Sequence, residues 1–331
     1  MGVNIRDLLI KHKLELEDLN GKKLAIDAFN TLYQFLSIIR QPDGQPLMDS
    51  KGNVTSHLSG LFYRTINLLE VGAKPVFVFD GKAPLEKVSV QVSREEIREE
   101  ARVKHAEALA AGQLEEARKY AQQTSRLTRE IIQESKELIS AMGLPWVQAM
   151  AEGEAQAAYM CRKGDVWAVA SQDYDALLFA TTRLVRNLTI SGRRKVDSKT
   201  VAVEPELIDL AECLNFLSID IEKLIELALL IGTDYNPGGV SGIGPKNALK
   251  VIKGNKFADY SDKIPNVNRL KHLFLKPTIV TDYSLEWKAP NPKKIKEILV
   301  ERHEFSEERV DIALKRLEKS PINQKGLADF L

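Results

Sequence analysis

Short apolar segments alternate with helical patterns along the first half of the chain. Three of these segments are rich in β-favouring residues, and each ends close to an acid: KKLAIDAF (22–29), KPVFVFDG (74–81) and DVWAVASQD (165–173). The stretches between them carry the spacing of amphipathic helices. This alternation is typical of a largely parallel sheet with helices on both faces, so we predict an α/β fold.

Residues 94–136 follow a different pattern, because they are almost all helix-forming and include few large apolar side chains. Nine basic and nine acidic residues are interspersed there, and Gly112 interrupts the pattern. Taken alone, this segment favours a solvated helical hairpin held by salt bridges between neighbouring turns. The alternative is a protruding helical arch, from about residue 85 to about residue 135, under which a substrate strand passes.

The second half of the chain continues with helical patterns. Helices are predicted to begin at Pro205 and near Asp220, a glycine-rich turn joins two helices within residues 225–255, and a last helix is predicted at 306–319. With 331 residues, of which 44% are hydrophobic, the chain can bury a sizeable core. We therefore predict a single domain over residues 1–320 and a short tail at 321–331.

Acidic residues recur at the ends of the predicted elements. Ligands of parallel sheets gather beyond the carboxyl ends of the strands, which is where several of these acids fall. The set is Asp27, Asp80, Glu152, Glu154, Asp173, Asp175 and Asp234. Each acid alone could cap a helix or face a helix dipole.

If these acids converge, they must share cations. Two carboxylates ~4 Å apart repel by roughly 4 kcal/mol at an effective dielectric of 20, and no acid of the set has a clear basic neighbour in sequence. The five histidines are scattered, and Cys161 and Cys213 stand alone, so no zinc spacing is present. An all-oxygen set predicts two Mg²⁺ ions, for which Mn²⁺ would substitute, and such a pair suits phosphodiester hydrolysis.

A second motif predicts contact with nucleic acid. The net charge is only +1, so a polyanion must be held by local patches. The stretch GGVSGIGPKNALKVIK (238–253) joins a glycine turn to a helix start, where backbone N–H groups favour a phosphate. It is close to the helix-hairpin-helix signature for gripping a DNA backbone, with Gly242 and Gly244 in the turn and Lys246 and Lys250 on the helix. A plain helix end followed by a turn is the alternative.

No apolar run approaches the ~20 residues that a membrane span needs. Nothing at the N-terminus resembles a signal peptide. We therefore expect a soluble, intracellular protein without membrane contact.

Several motifs, taken in order, resemble those of the flap endonuclease family of structure-specific 5′ nucleases. They span most of the chain and read IDAFNTLYQFL, TSHLSGLFYRT, KPVFVFDGKAP, AEGEAQAAYM, SQDYDALLF and GTDYNPGGVSGIGPKNALK. The resemblance implies a divalent-metal enzyme that cuts 5′ single-stranded flaps at their junction with duplex DNA, in Okazaki fragment maturation and base excision repair. It also assigns the seven acids to the metal cluster.

The resemblance extends to residues that carry little signal of their own. It implies that Lys87 and Arg94 contact the scissile phosphate, and that Tyr33 stacks on a nucleobase. By the same matching, Gly2 and Arg64 join the DNA contacts. Without the family, Lys87 and Arg94 would be interpreted as surface charge and Tyr33 as core packing.

The C-terminal QKGLADFL resembles a peptide that binds a sliding clamp of the PCNA type. Its anchors would be Gln324, Leu327, Phe330 and Leu331. No basic extension follows, and this shorter layout is similar to archaeal members. An archaeal protein would be cytoplasmic and associated with the nucleoid, whereas a eukaryotic one would be nuclear.

Two other functions remain open from the residues. A different metal phosphohydrolase would use Asp80 in FVFDGK as a nucleophile. A non-catalytic scaffold would bind DNA junctions through the phosphate-gripping turn without turnover.

Overall fold

A computed structural model describes residues 2–82, 84–188, 192–196 and 199–321. Within these ranges, seven strands form one sheet in the order β1-β9-β6-β5-β2-β3-β4, and β7 pairs with β8 in a separate hairpin. The strands are β1 (His12–Lys13), β2 (Lys23–Asp27), β3 (Lys74–Phe79), β4 (Trp146–Gln148), β5 (Ala168–Ala170), β6 (Arg183–Arg186), β7 (Gly192–Val196), β8 (Lys199–Val203) and β9 (Glu206–Asp209).

The helices cover both faces of this sheet. They are α1 (Ala28–Ile38), α2 (Ser56–Glu70), α3 (Val88–Ala110), α4 (Leu114–Gln123), α5 (Arg129–Ala141), α6 (Gly153–Lys163), α7 (Asp175–Leu178), α8 (Leu210–Leu217), α9 (Ile221–Ile231), α10 (Pro245–Lys253), α11 (Ala258–Ser261), α12 (Val267–Leu275), α13 (Pro292–Lys296) and α14 (Glu307–Lys319). The structure confirms the predicted α/β class. Among the described residues, no helix is both long and apolar enough to cross a membrane.

The central strands are parallel, and their side chains alternate between two cores. Strand β2 pairs in parallel with both β3 and β5. Ala25 and Val76 face the core formed with α6 to α10 and α12, whereas Ile26 and Phe77 face the core formed with α1, α2, α5, α13 and α14. Because both faces are buried, these strands read as continuous apolar runs, which is why the sequence revealed them.

The edge of the sheet departs from the prediction. Pro205 was expected to begin a helix, but residues Glu206–Asp209 form β9, which pairs antiparallel with β6 and also carries β1. The prediction was wrong because β9 is short and half-buried, and its pairing with β6 depends on tertiary structure. Helix α8 begins only at Leu210, where the Asp209 side chain accepts a hydrogen bond from Glu212 N.

The charged segment forms a helical hairpin of α3 and α4, joined at Gly112. Its base contacts α1, because the Ser37 hydroxyl and the Arg40 guanidinium both reach Ser125. Helix α5 begins within the last residues of the range predicted for the arch, about 85–135, but belongs to the body of the protein. Its side chains Ile131, Leu138 and Ile139 are buried in the core.

Residues 277–291, here called the crossing segment, connect the two cores without helix or strand. The segment is tied down by reciprocal bonds between Gln156 and the Val280 backbone, and by a bond from Trp287 Nε1 to the carbonyl of Pro75. Lys288 N also donates to Gly143 O at 2.8 Å. A segment of this length needs such anchors because it contributes no ladder of its own.

Two glycines at helix ends provide a matched test of this contact. Gly112 and Gly143 have φ of +73° and +76°, but a Cβ at Gly112 meets nothing within 4 Å, whereas one at Gly143 lies 2.0 Å from Lys288 O. Gly112→Ala should lower the free energy of unfolding by roughly 1–2 kcal/mol, the left-handed backbone cost. Gly143→Ala should cost about 1–3 kcal/mol more, because the crossing segment must shift. Urea denaturation measures both, and equal losses would contradict the predicted contact.

Candidate active site

Asp27 and Asp80 lie beside each other at the carboxyl ends of β2 and β3. Asp27 is the last residue of β2 and pairs in register with Val78, two residues before Asp80. Its side chain also caps α1 by accepting from Asn30 N at 2.9 Å. Both strands end at the same edge of the sheet because they are parallel. Two acids that each follow an apolar run in the sequence therefore lie side by side in the structure.

Helix α6 brings the next two acids to this edge. Glu152 is its N-cap residue and Glu154 lies in its first turn. Between them, Gly153 N donates to Asp80 Oδ1 at 2.6 Å. A Cβ at Gly153 would lie 2.6 Å from that same oxygen, so only glycine allows this approach.

Strand β5 and α7 supply Asp173 and Asp175. The hydroxyl of Ser171 lies 3.3 Å from Asp27 Oδ2 and 3.2 Å from Glu154 Oε1, and it accepts from Asp173 N at 3.2 Å. Since a hydroxyl has one proton, it can donate to only one of the two acids at a time. Ser171 therefore links acids from β2, α6 and the β5 end.

The chain start packs against the same acids. Val3 N donates to Asp175 Oδ1 at 2.7 Å, and Gly2 N lies 3.4 Å from Asp173 Oδ1. The structure thus places Gly2, which was predicted to contact DNA, directly beside two carboxylates.

Lys87 is a cation that pairs with the acids of this cluster. Its Nζ forms an ion pair with Glu152 Oε2 and lies 3.8 Å from Asp234 Oδ2. It also lies 5.2 Å from the centre of the Tyr235 ring. The acids do have a basic partner, and sequence inspection missed it because Lys87 and Glu152 are 65 residues apart.

The pKa values show how crowded the acids are. Burial raises the pKa of Asp27, and the charge of Asp80 raises it further. Burial likewise raises the pKa of Glu154 well above its usual value, with further increases from Asp175, Asp27 and Asp173. Burial opposes the charge of Lys87, but Glu152 and its neighbours outweigh this and raise the lysine pKa. Among the side chains that the structure describes, the Lys87 ammonium alone does not balance the negative charge of the cluster.

The donor atoms of this acidic cluster fit a hard divalent cation. They are carboxylate oxygens, which Mg²⁺ and Mn²⁺ prefer. In the part of the chain that the structure describes, no three His, Cys, Asp or Glu side chains stand close enough together to hold a metal ion as they are placed.

The structure describes only some of the residues that were predicted to contact DNA near the helical hairpin. Tyr33 lies on α1 with the Arg98 guanidinium over its ring, 5.6 Å from the centre, and Arg98 Nη2 donates to the Tyr33 hydroxyl. Arg64 is half-buried on α2. Arg94 belongs to α3, but its side chain lies outside the described part of the structure.

The glycine turn joins α9 to α10 as predicted. Gly244 is the N-cap residue of α10 and has no side chain to satisfy the first N–H groups, while Pro245 occupies the first turn. Lys246 and Lys250 are exposed on the following helix. The open helix start and these cations together suit a phosphate. The clamp-peptide residues Gln324, Leu327, Phe330 and Leu331 lie outside the described residues.

Comparison with known proteins identifies the family. The XPG N-terminal domain model matches residues 1–101, and the XPG I-region model matches residues 143–234. A Flap endonuclease 1 of Pyrococcus abyssi is 58% identical over 327 residues, covering 97% of this chain and 95% of that protein. The chain belongs to the flap endonuclease 1 family. Nucleases of this family are generally dependent on divalent metal ions.

Further relatives agree in sequence and fold. A Flap endonuclease 1 of Staphylothermus marinus is 55% identical over 333 residues, covering 97% of this chain and 95% of that protein. Flap endonuclease-1 from Methanococcus jannaschii has a solved structure with a TM-score of 0.78 and 42% identity, covering 100% of both chains. The catalytic core of Rad2 in complex with DNA substrate gives a TM-score of 0.69 at 26% identity, covering 95% of this chain and 97% of that chain.

The close approach of Gly153 to Asp80 generates a prediction for this flap endonuclease 1 family member. Gly153→Ala would ordinarily favour a helix by about 1 kcal/mol, but here the new methyl group must push the Asp80 carboxylate away. We expect nearly unchanged melting and a loss of cleavage of roughly 10–100-fold, the usual effect of disturbing a support of a metal ligand.

Gly164→Ala, at the other end of α6, is the control for cleavage, because a Cβ there meets nothing within 4 Å; its left-handed backbone (φ +85°) should lower stability by roughly 1–2 kcal/mol without changing cleavage. Flap cleavage in Mg²⁺ and melting temperature are measured for both variants. Wild-type cleavage by Gly153→Ala would show that the Asp80 position has no effect on the reaction.

Proposed function

We propose that this protein is a structure-specific 5′ flap endonuclease with 5′–3′ exonuclease activity, which hydrolyses DNA phosphodiester bonds at junctions between single strand and duplex. The observation that carries the proposal is that acids from several elements share hydrogen-bond and ion-pair partners at the carboxyl ends of the strands, in a chain 58% identical to a Flap endonuclease 1. The products would be a 5′-phosphate and a 3′-hydroxyl. Its role would lie in Okazaki fragment maturation and base excision repair.

The proposed cofactor is a pair of Mg²⁺ ions, for which Mn²⁺ would substitute. The acidic cluster supplies the oxygen ligands: Asp27, Asp80, Glu152, Glu154, Asp173, Asp175 and Asp234. Such ions activate the attacking water and neutralise charge on the scissile phosphate. Ser171, Gly153 N and Val3 N hold individual carboxylates in place by hydrogen bonds.

Lys87 is proposed to act directly at the scissile phosphate. It lies at the start of α3, so the arch carries it, and its Nζ reaches Glu152 across the cluster. An incoming phosphate oxygen would replace Glu152 as its partner. Arg94, nearly two turns further along α3, is proposed to add a second cation on the same path.

The remaining DNA contacts are proposed to position the substrate without reading sequence. Tyr33 would stack on a base, for which Arg98 must leave the face of the ring that it covers. Gly242, Gly244, Lys246 and Lys250 would grip the backbone of the duplex, and Arg64 and Gly2 would complete the contacts. The acidic cluster would thus carry out the cleavage, and separate basic patches would bind the DNA backbone. Local patches are needed because the net charge of the protein is only +1.

The phosphatase alternative is less well supported. A nucleophilic Asp80 needs an accessible oxygen, but this carboxylate is held by Gly153 N and lies beside Glu152. A non-catalytic scaffold would bind DNA without needing the acidic cluster, so that alternative does not explain why the protein retains the repulsion among these buried carboxylates. The relatives named above are nucleases by name, which favours the enzyme.

Asp173→Ala tests the enzymatic proposal. Removing this carboxylate should lower cleavage of a labelled 5′ flap by at least about a thousandfold. A reaction that relies on metal ions loses most of its rate acceleration when a metal ligand is removed. Flap affinity, measured by fluorescence anisotropy in Ca²⁺, should stay within about threefold.

Asp282→Ala, which removes an exposed carboxylate of the crossing segment, serves as the control and should cleave normally. Cleavage by Asp173→Ala at the wild-type rate in Mg²⁺ would contradict the proposal. Trapping of an aspartyl-phosphate on Asp80 would instead favour the phosphatase.

We also propose that the tail binds a PCNA-type sliding clamp through Gln324, Leu327, Phe330 and Leu331. Phe330→Ala should abolish most of the stimulation by an archaeal clamp while leaving clamp-free cleavage unchanged, because an aromatic anchor carries much of such an interface. Lys325→Ala, a change between the anchors, should retain stimulation. Equal stimulation of wild type and Phe330→Ala would rule out this partner surface. The proposed location, cytoplasmic and associated with the nucleoid, assumes an archaeal source.

A further inference from the structure

Asn30 lies where two of the acid-bearing strands come closest. It is the third residue of α1, which begins directly after Asp27 at the end of β2. Strand β5 runs alongside β2, with Ile26 in register with Ala170, so the residues after Ala170 pass over the start of α1. The half-buried Asn30 side chain fills this junction.

The Asn30 amide makes two bonds to the β5 end. Its Nδ2 donates to Asp173 Oδ2 at 2.9 Å, and its Oδ1 accepts from Gln172 N at 3.3 Å. Its backbone N–H donates to Asp27 Oδ1 at 2.9 Å. One residue therefore contacts acids from two strands that are 146 positions apart in the chain (173 − 27).

Chemistry fixes the orientation of this amide. Gln172 N is a donor and requires the amide oxygen, while the Asp173 carboxylate is an acceptor and requires the amide nitrogen. An aspartate at position 30 would present an anion to Asp173, and an apolar side chain would satisfy neither group. The position thus calls for a neutral side chain with both a donor and an acceptor.

The other contacts of Asp173 fix it less firmly. Among the described residues, Gly2 N lies 3.4 Å from Asp173 Oδ1, which is a longer and weaker contact than the 2.9 Å bond from Asn30, and Ser171 accepts from the Asp173 backbone rather than binding its carboxylate. The bond from Asn30 is shorter and comes from a helix anchored in the core. A neutral donor also leaves the negative charge of Asp173 intact, and each carboxylate oxygen can accept more than one bond.

We propose that Asn30 is a positioning residue, whose amide holds the Asp173 carboxylate at a fixed distance from Asp27 and so sets the spacing at which a divalent cation is bound. The inference rests on the proposed function, because it concerns the same cluster. Supports of this kind around metal ligands change affinity or activity by roughly 10–100-fold when removed.

The test is Asn30→Leu, which keeps the shape and removes both hydrogen-bonding atoms. Calorimetric titration of the free protein with Mn²⁺ should show an affinity lower by about 10–100-fold. In cleavage assays with Mg²⁺, kcat should fall while KM for the flap stays within about twofold, because Asn30 acts on the acids rather than on DNA. Higher Mn²⁺ concentration should restore part of the lost rate.

Asn67→Leu is the matched control, since Asn67 also lies on a helix and its Oδ1 accepts from Arg316 Nη2 far from the cluster. It should bind Mn²⁺ and cleave as the wild type does. Asn30→Ala, which only removes atoms, repeats both measurements if circular dichroism shows that Asn30→Leu does not fold.

The outcomes separate this inference from the proposed function. A wild-type protein that neither binds Mn²⁺ nor cleaves would overturn both. A wild type that does both, with Asn30 variants of unchanged Mn²⁺ affinity and kcat, would overturn the positioning role alone. Equal losses in Asn30→Leu and Asn67→Leu would overturn it as well.

Discussion

Electrostatic repulsion among buried carboxylates is the constraint on which this structure depends. Burial and neighbouring charge raise the pKa of Asp27, Glu154 and Asp175 together, so the folded state bears an electrostatic cost at this edge of the sheet. Apolar burial in the two cores on either side of the sheet offsets this cost, because it stabilises the strands independently of the residues at their ends. The same crowding that opposes folding underlies the affinity for divalent cations that we propose for this cluster.

Lys87 and the neutral hydrogen-bonding groups around the acids stabilise the cluster in different ways. Lys87 neutralises charge and belongs to the base of the hairpin, so any movement of α3 changes the charge balance among the acids. Ser171, Gly153 N and the Asn30 amide are neutral and belong to the body of the fold, so they orient carboxylates without competing for a cation. This contrast links hairpin position to the electrostatics of the cluster.

The central fold, and the positions of most residues of the proposed site, could be predicted from the sequence for definite reasons. Strands β2 and β3 are buried on both faces and therefore read as apolar runs, and the acid after each run could be located by position alone. The edge could not be predicted, because β1, β6 and β9 are short and take their pairing from neighbours distant in sequence. The extent of the hairpin was also misplaced, since α5 is highly charged on one face while Ile131 and Leu138 bury the other.

The sequence by itself determined which residues we propose to carry the chemistry: acids at strand ends, a glycine turn before a basic helix, and family motifs in order. These features are local, because each depends on residue type and on a few neighbours along the chain. Only the tertiary structure decided how the acids are held. Lys87 meets Glu152, and Asn30 meets Asp173, because parallel strands end at one edge and bring together segments that are far apart in the chain. Hydrogen bonds and ion pairs act over a few ångströms, so partners that only folding brings together leave no periodic signal in the sequence.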